Sequence, residues 1–401
     1  MNIPHRKIPV YEPDLGGRER EYVLDCLDSG WISGIGQYVS RFEEAFSRFC
    51  DVSYAISTCN GTVALDLALA TLDIGPGDEV ITSNLTFAAT ANAIRHVGAT
   101  PVFVDSEPET WNIDPNRIEE AITPATKAIL VVHLYGHPAD MDPILALAAK
   151  HSLFVIEDAA EAHGAYYKRR RVGSLGHIAC FSFYGNKLIT TGEGGMVVTD
   201  NAGLAERARF LRGQAMHSAL PYYHPEVGYN FRMTNLQAAI GLAQMERADE
   251  LIARKRQIAR WYAERISRLP GIEFSPEAMW ATSSFWMNSV LIRPESGVSA
   301  PVVRARLAEA GIETRPFFYP MNTLPPYIRA MASRRYPVSE RLSKQGLNLP
   351  SSPRLDEATV DFVVTALQNC CDAAPARASR PIPAPWSSAP VRLALVEEAR
   401  A

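Results

Sequence analysis

Short apolar runs rich in β-branched residues alternate with helical periodicity through the first half of the chain. The strand-like runs cover residues 54–58, 79–82, 101–105, 128–133 and 154–158. The helical segments between and before them lie at 42–49, 60–72, 88–97, 116–122 and 143–151. Strands that alternate with helices predict an α/β fold whose mostly parallel sheet is covered by helices on both faces. In such sheets, ligands bind at the carboxyl ends of the strands.

The pattern changes after a long helical stretch that runs from about Leu236 to Leu269, a length typical of a helix that connects two domains. The following segment predicts strands at 285–292 and 311–318 and helices at 301–310 and 356–370. We therefore predict an N-terminal arm (1–15), a large domain (16–250), a smaller C-terminal α/β domain (251–371) and a Pro/Ala-rich tail (372–401).

Composition excludes several classes of protein. The chain has 401 residues, 47% of them hydrophobic, and a formal net charge of −4, which favours a soluble globular protein without a nucleic-acid-binding arm. The basic run Lys168–Arg171 is interpreted as a hairpin tip. The N-terminus lacks the apolar core of a signal peptide, and no apolar run is long enough to span a membrane. The six cysteines lack metal-ligand spacing, so we expect no metal, reduced thiols and a cytoplasmic location.

The most informative stretch is residues 181–195, in which an apolar strand leads to Lys187 and then to a glycine-dense turn. An ammonium at the end of a buried strand is costly to desolvate, so its pKa falls readily. A neutral amine is the form that attacks a carbonyl. Taken alone, however, a lysine beside a loop is more often a surface residue whose charged end reaches solvent.

Three further positions follow predicted strands and belong to the same edge of the sheet. The Asn60-Gly61-Thr62 segment starts a helix, where free amides and the helix dipole form a phosphate site. Phe87 follows the next strand, and Asp158 ends a later one. Individually, such a helix start often has no ligand, Phe87 is more often a core residue, and Asp158 is more often a cap or ion-pair partner.

Together these positions supply the four parts of a pyridoxal phosphate site. Lys187 is the amine, and Asp158 is the buried carboxylate that keeps the cofactor's ring nitrogen protonated. Phe87 packs against the ring, and the helix-start amides with the Ser182 hydroxyl bind the phosphate.

The motifs that carry these residues resemble the DegT/DnrJ/EryC1/StrS nucleotide-sugar aminotransferases, which are fold-type I pyridoxal-phosphate enzymes. The resemblance covers roughly residues 8–370 and rests on residues 60–62, 157–164, 181–195 and 228–235. It implies a fold-type I aminotransferase fold, with a large domain whose mostly parallel sheet is sandwiched by helices and a smaller C-terminal α/β domain.

The resemblance also implies roles for individual residues. Lys187 is expected to be the catalytic Schiff-base lysine and Asp158 the partner of the pyridinium nitrogen. The expected cofactor contacts are Gly61, Thr62, Phe87, Glu161 and Ser182, with Glu161 near the cofactor's 3-hydroxyl. Asn230 is expected to reach the phosphate of the neighbouring subunit, which implies a homodimer with a composite site. Ser33, Arg315 and Tyr319 are expected to contact the nucleotide-sugar.

For the reaction, the resemblance implies amination at C4 of a GDP-linked 4-keto-6-deoxy sugar of mannose configuration, with L-glutamate as donor. Transfer to C3, and a non-catalytic cofactor-binding regulator, are the alternatives. A related branch dehydrates the sugar with a histidine in place of the lysine, which Lys187 disfavours. A nucleotide-dependent dehydratase or epimerase is also disfavoured, because Gly34-Ile35-Gly36 lacks the third glycine of a dinucleotide-binding fingerprint.

Overall fold

The computed structural model describes residues 7–328 and 335–372. Its helices are α1 (Glu19–Ser29), α2 (Gln37–Cys50), α3 (Gly61–Thr71), α4 (Ala88–His96), α5 (Met141–His151), α6 (Ala202–Arg212), α7 (Asn235–Met245), α8 (Ala248–Ile266), α9 (Ala300–Glu309), α10 (Pro337–Gln345) and α11 (Glu357–Asp372). Its strands are β1 (Tyr54–Thr58), β2 (Glu79–Ser83), β3 (Thr100–Val104), β4 (Thr126–Val132), β5 (Phe154–Asp158), β6 (Tyr166–Tyr167), β7 (Arg170–Arg171), β8 (Ile178–Ser182), β9 (Gly195–Thr199), β10 (Ile272–Phe274), β11 (Ala281–Thr282), β12 (Asn288–Ile292), β13 (Arg315–Pro316) and β14 (Gly346–Leu349).

A seven-stranded sheet in the order β1-β9-β8-β5-β4-β2-β3 forms the centre of the larger part of the chain. The strands from β8 to β3 run parallel to their neighbours, whereas β9 runs antiparallel to both β1 and β8. The predicted α/β fold with a mostly parallel sheet is therefore confirmed, and the carboxyl ends of β2, β4, β5 and β8 lie along one edge.

Helices cover both faces of this sheet because side chains alternate along each strand. On β8, Ala179 and Phe181 pack into a cluster with residues of α1, α2, α5 and α7. Ile178 and Cys180 point the other way and pack with α3, α4 and α6. Phe42 on α2 is fully buried, which confirms the prediction that this helix faces the core.

Two smaller sheets complete the described chain. The antiparallel sheet β10-β12-β14-β13 packs against α8, α9 and α11 around a separate apolar cluster. The β6–β7 hairpin pairs with β11, in agreement with the hairpin predicted at Lys168–Arg171. The N-terminal segment joins the C-terminal part of the chain through a bridge between Ile8 and Ile312. The predicted boundary at residue 250 stays a prediction.

The single long helix predicted from Leu236 to Leu269 is wrong. The structure has two helices, α7 and α8, separated at Arg247, whose backbone leaves the helical region at φ −116° and ψ 10°. The Arg247 guanidinium binds Asp14 at 3.1 Å and Glu250 at 2.9 Å. The two helices pack on different elements: α7 packs on α1 and α2, whereas α8 packs on α11 and β10.

Other differences are local. The helix predicted around 116–122 is a pair of short 3₁₀ turns, Pro115–Arg117 and Glu119–Ala121. Strands β10, β11 and β14 and helix α10 were not predicted from the sequence. The predicted tail from residue 373 onward lies outside the described residues. No helix in the described ranges is both long enough and apolar enough to cross a membrane.

Candidate active site

A cavity of about 640 Å³ opens where the carboxyl edge of the central sheet meets the segment around β13. The predicted site residues that line it are Gly61, Thr62, Phe87, Asp158, Glu161, Ser182, Lys187 and Arg315. These residues come from separate parts of the sequence, so the fold brings together most of the predicted site.

The first turn of α3 forms one wall and presents free backbone donors. The Asn60 side chain caps this helix by accepting from the Val63 amide at 3.0 Å. The amides of Gly61 and Thr62 donate to no acceptor within the described chain, as expected for the first turn of a helix. A Cβ at residue 61 would lie 2.6 Å from the Ser182 Cβ. Glycine is therefore required for α3 to approach the end of β8, and the result is a cradle suited to an anion.

Lys187 lies in the turn after β8 and is almost fully buried. The prediction that Lys187 lies at the end of the strand is wrong by a few residues. Strand β8 ends at Ser182, and Lys187 lies in the turn that follows it. Tyr11 donates to the Lys187 carbonyl at 2.8 Å, and the Lys187 Nζ lies 3.9 Å from the centre of the Trp286 ring. Burial lowers the pKa of Lys187, and the nearby carboxylates of Glu161 and Asp158 oppose this effect.

Asp158 ends β5 with its carboxylate in the cavity wall. Thr90 donates to one carboxylate oxygen at 2.8 Å, and the Ala160 amide donates to the other at 3.2 Å. Burial raises the pKa of Asp158, while the Thr90 hydrogen bond and the charge of Lys187 oppose the rise. The carboxylate is thus held in a fixed orientation, in surroundings where a cationic ring nitrogen would stabilise its charged form.

Glu161 lies one turn beyond Asp158 and accepts from the Tyr135 amide at 2.7 Å. Burial raises the pKa of Glu161 to about 7, with the charge of Lys187 acting in the opposite direction. Lys187, Asp158 and Glu161 are therefore one amine and two carboxyl groups that share the most buried part of the cavity.

Aromatic side chains form the remaining wall. Phe87 precedes α4 and is 59% exposed, so the alternative that it is a core residue is wrong. Its ring lies 5.7 Å from that of Phe318, which follows β13. Trp286 stacks on Tyr135 at 6.2 Å on the side of the cavity next to Lys187.

Three predicted site residues do not line the cavity. Ser33 is exposed in the loop before α2, and its carbonyl accepts from the Asn235 amide at 2.8 Å. Asn230 is exposed and forms a bridge with Gly213. Tyr319 is 64% exposed and does not line the cavity. Their proposed roles stay predictions.

Several residues that shape the site were not predicted from the sequence. Thr90 orients Asp158, Tyr11 holds the Lys187 backbone, and Trp286 covers the Lys187 amine. Thr90 could have been suggested by its place in the first turn of the helix after Phe87. Tyr11 and Trp286 belong to segments far from the cavity in sequence, and no local pattern distinguishes them from core aromatics.

The donors and charges of the cavity fit pyridoxal phosphate. The unpartnered amides of Gly61 and Thr62 match a phosphate, the buried Asp158 carboxylate matches a ring N–H, and the Lys187 amine, which makes no hydrogen bond to another described residue, matches an aldehyde. Residues 7–328 and 335–372 contain no group of His, Cys, Asp and Glu arranged to hold a metal ion.

Comparison with known proteins places this geometry among sugar aminotransferases. The model of the DegT/DnrJ/EryC1/StrS aminotransferase family matches residues 13–368. The chain is 49% identical over 362 residues to the GDP-perosamine synthase of Caulobacter vibrioides, covering 90% of this chain and 97% of that protein. It is also 49% identical over 360 residues to the GDP-perosamine synthase of Escherichia coli O157:H7, with the same coverage.

A solved structure shows the same architecture. The PLP form of a putative sugar aminotransferase from Streptococcus pneumoniae superimposes with a TM-score of 0.86 at 27% identity. The superposition covers 91% of this chain and 99% of that one.

Proposed function

Because the chain belongs to the DegT/DnrJ/EryC1/StrS aminotransferase family, we propose that it aminates GDP-4-keto-6-deoxy-D-mannose at C4 to give GDP-perosamine. The amino donor in this proposal is L-glutamate, and the cofactor is pyridoxal phosphate. The observation that carries the proposal is the identity of 49% with two GDP-perosamine synthases over 90% of the chain. The cavity adds the amine and the carboxylate that the chemistry requires.

Lys187 is the residue that moves protons in this proposal. When bound, pyridoxal phosphate supplies an aldehyde for covalent attachment of an amine and a ring that withdraws electrons from the adjacent carbon. Burial favours the neutral form of the Lys187 amine, which is the nucleophilic form. The same amine takes the proton from the α-carbon of the donor and later returns a proton to C4 of the sugar.

Asp158 and Glu161 set the charge around that amine. Asp158, fixed by Thr90 and the Ala160 amide, would accept a hydrogen bond from the ring nitrogen and so stabilise its protonated state. Glu161, held by the Tyr135 amide, is proposed to contact the ring hydroxyl. Burial raises the pKa of Glu161 to about 7 in the cofactor-free chain.

The remaining cavity residues bind and orient. The amides of Gly61 and Thr62, together with the Ser182 hydroxyl, would hold the phosphate, and Phe87 would pack against the ring. Arg315 contributes a positive charge at the mouth of the cavity, which suits the diphosphate of a nucleotide-sugar. Ser33 and Tyr319 are proposed as further sugar-nucleotide contacts.

The proposal includes a homodimer whose sites are composite. Asn230 is exposed and does not line the cavity of its own chain, which supports the proposal that it serves the neighbouring subunit. Exposed apolar side chains supply a surface for association, among them Trp31 and Ile35 in the loop before α2 and Tyr222 and Val227 in the loop before Asn230. We place the enzyme in the cytoplasm, where nucleotide-sugars are made.

The test is to incubate the purified protein with pyridoxal phosphate, L-glutamate and GDP-4-keto-6-deoxymannose and to analyse the product by NMR and mass spectrometry. We expect an amino group at C4 in the mannose configuration. The Lys187→Ala variant should lose at least about a thousandfold in turnover, whereas Lys150→Ala, a change at an exposed lysine, should leave turnover unchanged.

Three other outcomes of this test would contradict parts of the proposal. An amino group at C3 would favour the alternative C3 aminotransferase. Absence of product, with cofactor bound, would favour a non-catalytic cofactor-binding protein. Full activity of Lys187→Ala would overturn the role of this lysine.

A further inference from the structure

Lys255 is a second buried lysine, and the proposed reaction does not use it. It lies on α8 with its side chain fully buried. Its Nζ donates to the backbone carbonyl of Trp286 at 2.8 Å and to that of Ser351. No carboxylate of a described residue lies within ion-pair distance of it, and burial lowers its pKa to about 7. A buried lysine without an anionic partner is costly, so an apolar residue would be favoured unless the amine is needed.

The two carbonyls that Lys255 binds belong to segments that hold the turn containing Lys187. Beyond its backbone contact with Lys255, Trp286 donates from its indole nitrogen to the Asn186 carbonyl at 2.7 Å. Its ring lies 3.9 Å from the Lys187 Nζ. Trp286 therefore holds the backbone at Asn186 by a hydrogen bond and covers the Lys187 amine with its ring.

Ser351 leads to the other side of the same turn. Its amide donates to the Val10 carbonyl at 2.7 Å, and the next residue, Tyr11, donates its hydroxyl to the Lys187 carbonyl at 2.8 Å. The Tyr11 ring also faces Lys255, with the Nζ 5.5 Å from the ring centre. Lys255 thus lies where the Trp286 segment and the Val10–Tyr11 segment converge behind Lys187.

We propose that Lys255 is a positioning residue, whose Nζ ties the Trp286 backbone to the Ser351 backbone so that the indole ring stays over the Lys187 amine and excludes water from it. The proposal rests on the proposed function only in taking Lys187 as the reacting amine. A neutral Lys255 amine has two N–H donors, which match the two carbonyls, so the arrangement does not require the charged form. The proposed influence of Lys255 on Lys187 runs through the Trp286 segment, whose backbone it holds and whose indole nitrogen donates to the Asn186 carbonyl.

The test measures the protonation of Lys187 directly. The full-length chain, dialysed free of cofactor, is labelled with an amine-reactive reagent across a pH series, and mass spectrometry quantifies the modification of Lys187. In Lys255→Met the Trp286 backbone loses its donor, water reaches the amine, and the apparent pKa of Lys187 should rise by about one pH unit. Lys255→Gln, whose shorter neutral side chain keeps N–H donors, should give a smaller rise and provides a second variant if the methionine substitution impairs folding.

Two controls on α8 separate positioning from general packing. Tyr262→Phe removes a buried hydroxyl that has no hydrogen-bond partner among the described residues, and Ile258→Ala opens a cavity at a fully buried position. Both should leave the apparent pKa of Lys187 unchanged, although Ile258→Ala lowers stability. Trp286→Leu should raise that pKa like Lys255→Met, and the double variant should show no additional rise, because both changes remove the same cover.

Two results would overturn the proposal. One is an unchanged Lys187 pKa in Lys255→Met, or a change matched by Ile258→Ala, which would make Lys255 a purely structural residue. The other is an effect in the double variant equal to the sum of the single effects. Because labelling needs neither substrate nor turnover, these results are independent of whether GDP-4-keto-6-deoxymannose is the substrate.

Discussion

At the scale of single residues, burial acts in opposite directions on the amine and the carboxyl groups of the cavity. It lowers the pKa of Lys187 and raises the pKa of Asp158 and Glu161, so it favours neutral forms of all of them. Their mutual attraction favours the charged forms. The site is therefore balanced between two protonation patterns, and a bound group that carries a cation and an anion can select one of them.

Glu161 gives this balance a pH dependence. The pKa of its carboxyl is about 7 in the folded chain against an ordinary value of 4.5. Between these values the folded state binds more protons than the unfolded state, so the stability that the neutral carboxyl contributes is present below pH 4.5 and is lost as the pH rises to about 7. In Glu161→Gln this loss is absent. The unfolding free energy of the variant relative to the parent should therefore rise over this interval, by up to roughly 3 kcal/mol.

Denaturant titration of the cofactor-free, full-length chain between pH 4.5 and 8 measures this difference. Glu120→Gln, a change at an exposed carboxylate of the same charge, is the matched control. Its unfolding free energy should differ from that of the parent by a nearly constant amount across this pH range. A constant difference for Glu161→Gln as well would show that the Glu161 carboxyl titrates like a solvent-exposed one.

At the scale of elements, the junction between α3 and β8 depends on one missing side chain. Gly61→Ala would place a Cβ 2.6 Å from the Ser182 Cβ, so α3 and the end of β8 must separate. We expect a loss of about 1–3 kcal/mol in stability and a weaker affinity for pyridoxal phosphate, because the amide cradle widens.

The matched control for this change is Gly203→Ala, which also adds a methyl group near a helix start but meets only the Asn201 Oδ1 at 3.3 Å. It should leave cofactor affinity unchanged and stability nearly so. Titration of each variant with pyridoxal phosphate, followed by absorbance, measures both affinities. If Gly61→Ala and the parent bind pyridoxal phosphate with equal affinity, the phosphate does not bind at the start of α3.

The break between α7 and α8 is a second element with a testable cause. Arg247→Ala removes the contacts to Asp14 and Glu250 from a largely buried guanidinium, and we expect a loss of about 1 kcal/mol. Arg48→Ala on α2 removes an exposed pair with Glu44 and should cost less than about 0.5 kcal/mol. If thermal unfolding shows equal losses, the Asp14 contact does not stabilise the break.

At the scale of the whole molecule, the sequence predicted what periodicity and chain order encode. The parallel sheet, the Asn60 cap of α3 and the position of Asp158 at a strand end follow from local pattern, since each depends on neighbouring residues. The break at Arg247 does not follow from local pattern, because the contact of Arg247 with Asp14 spans more than two hundred positions and no proline or glycine lies at the break. Trp286 and Tyr11 were missed for the same reason.

The proposed dimer is also a property of the whole molecule. Sedimentation of the holoenzyme should give twice the chain mass. Asn230→Ala should weaken pyridoxal phosphate binding without changing that mass, because Asn230 is proposed to reach the neighbouring site. A monomer with full activity would contradict the composite site.

The most direct test of the central claim, that Lys187 and Asp158 flank one cofactor, is borohydride reduction of the holoenzyme followed by peptide mass mapping. We predict that the cofactor becomes covalently fixed to Lys187, and that Asp158→Asn reduces cofactor affinity at the same attachment site. Attachment to any other lysine, or no attachment in a protein that holds the cofactor, would contradict the account.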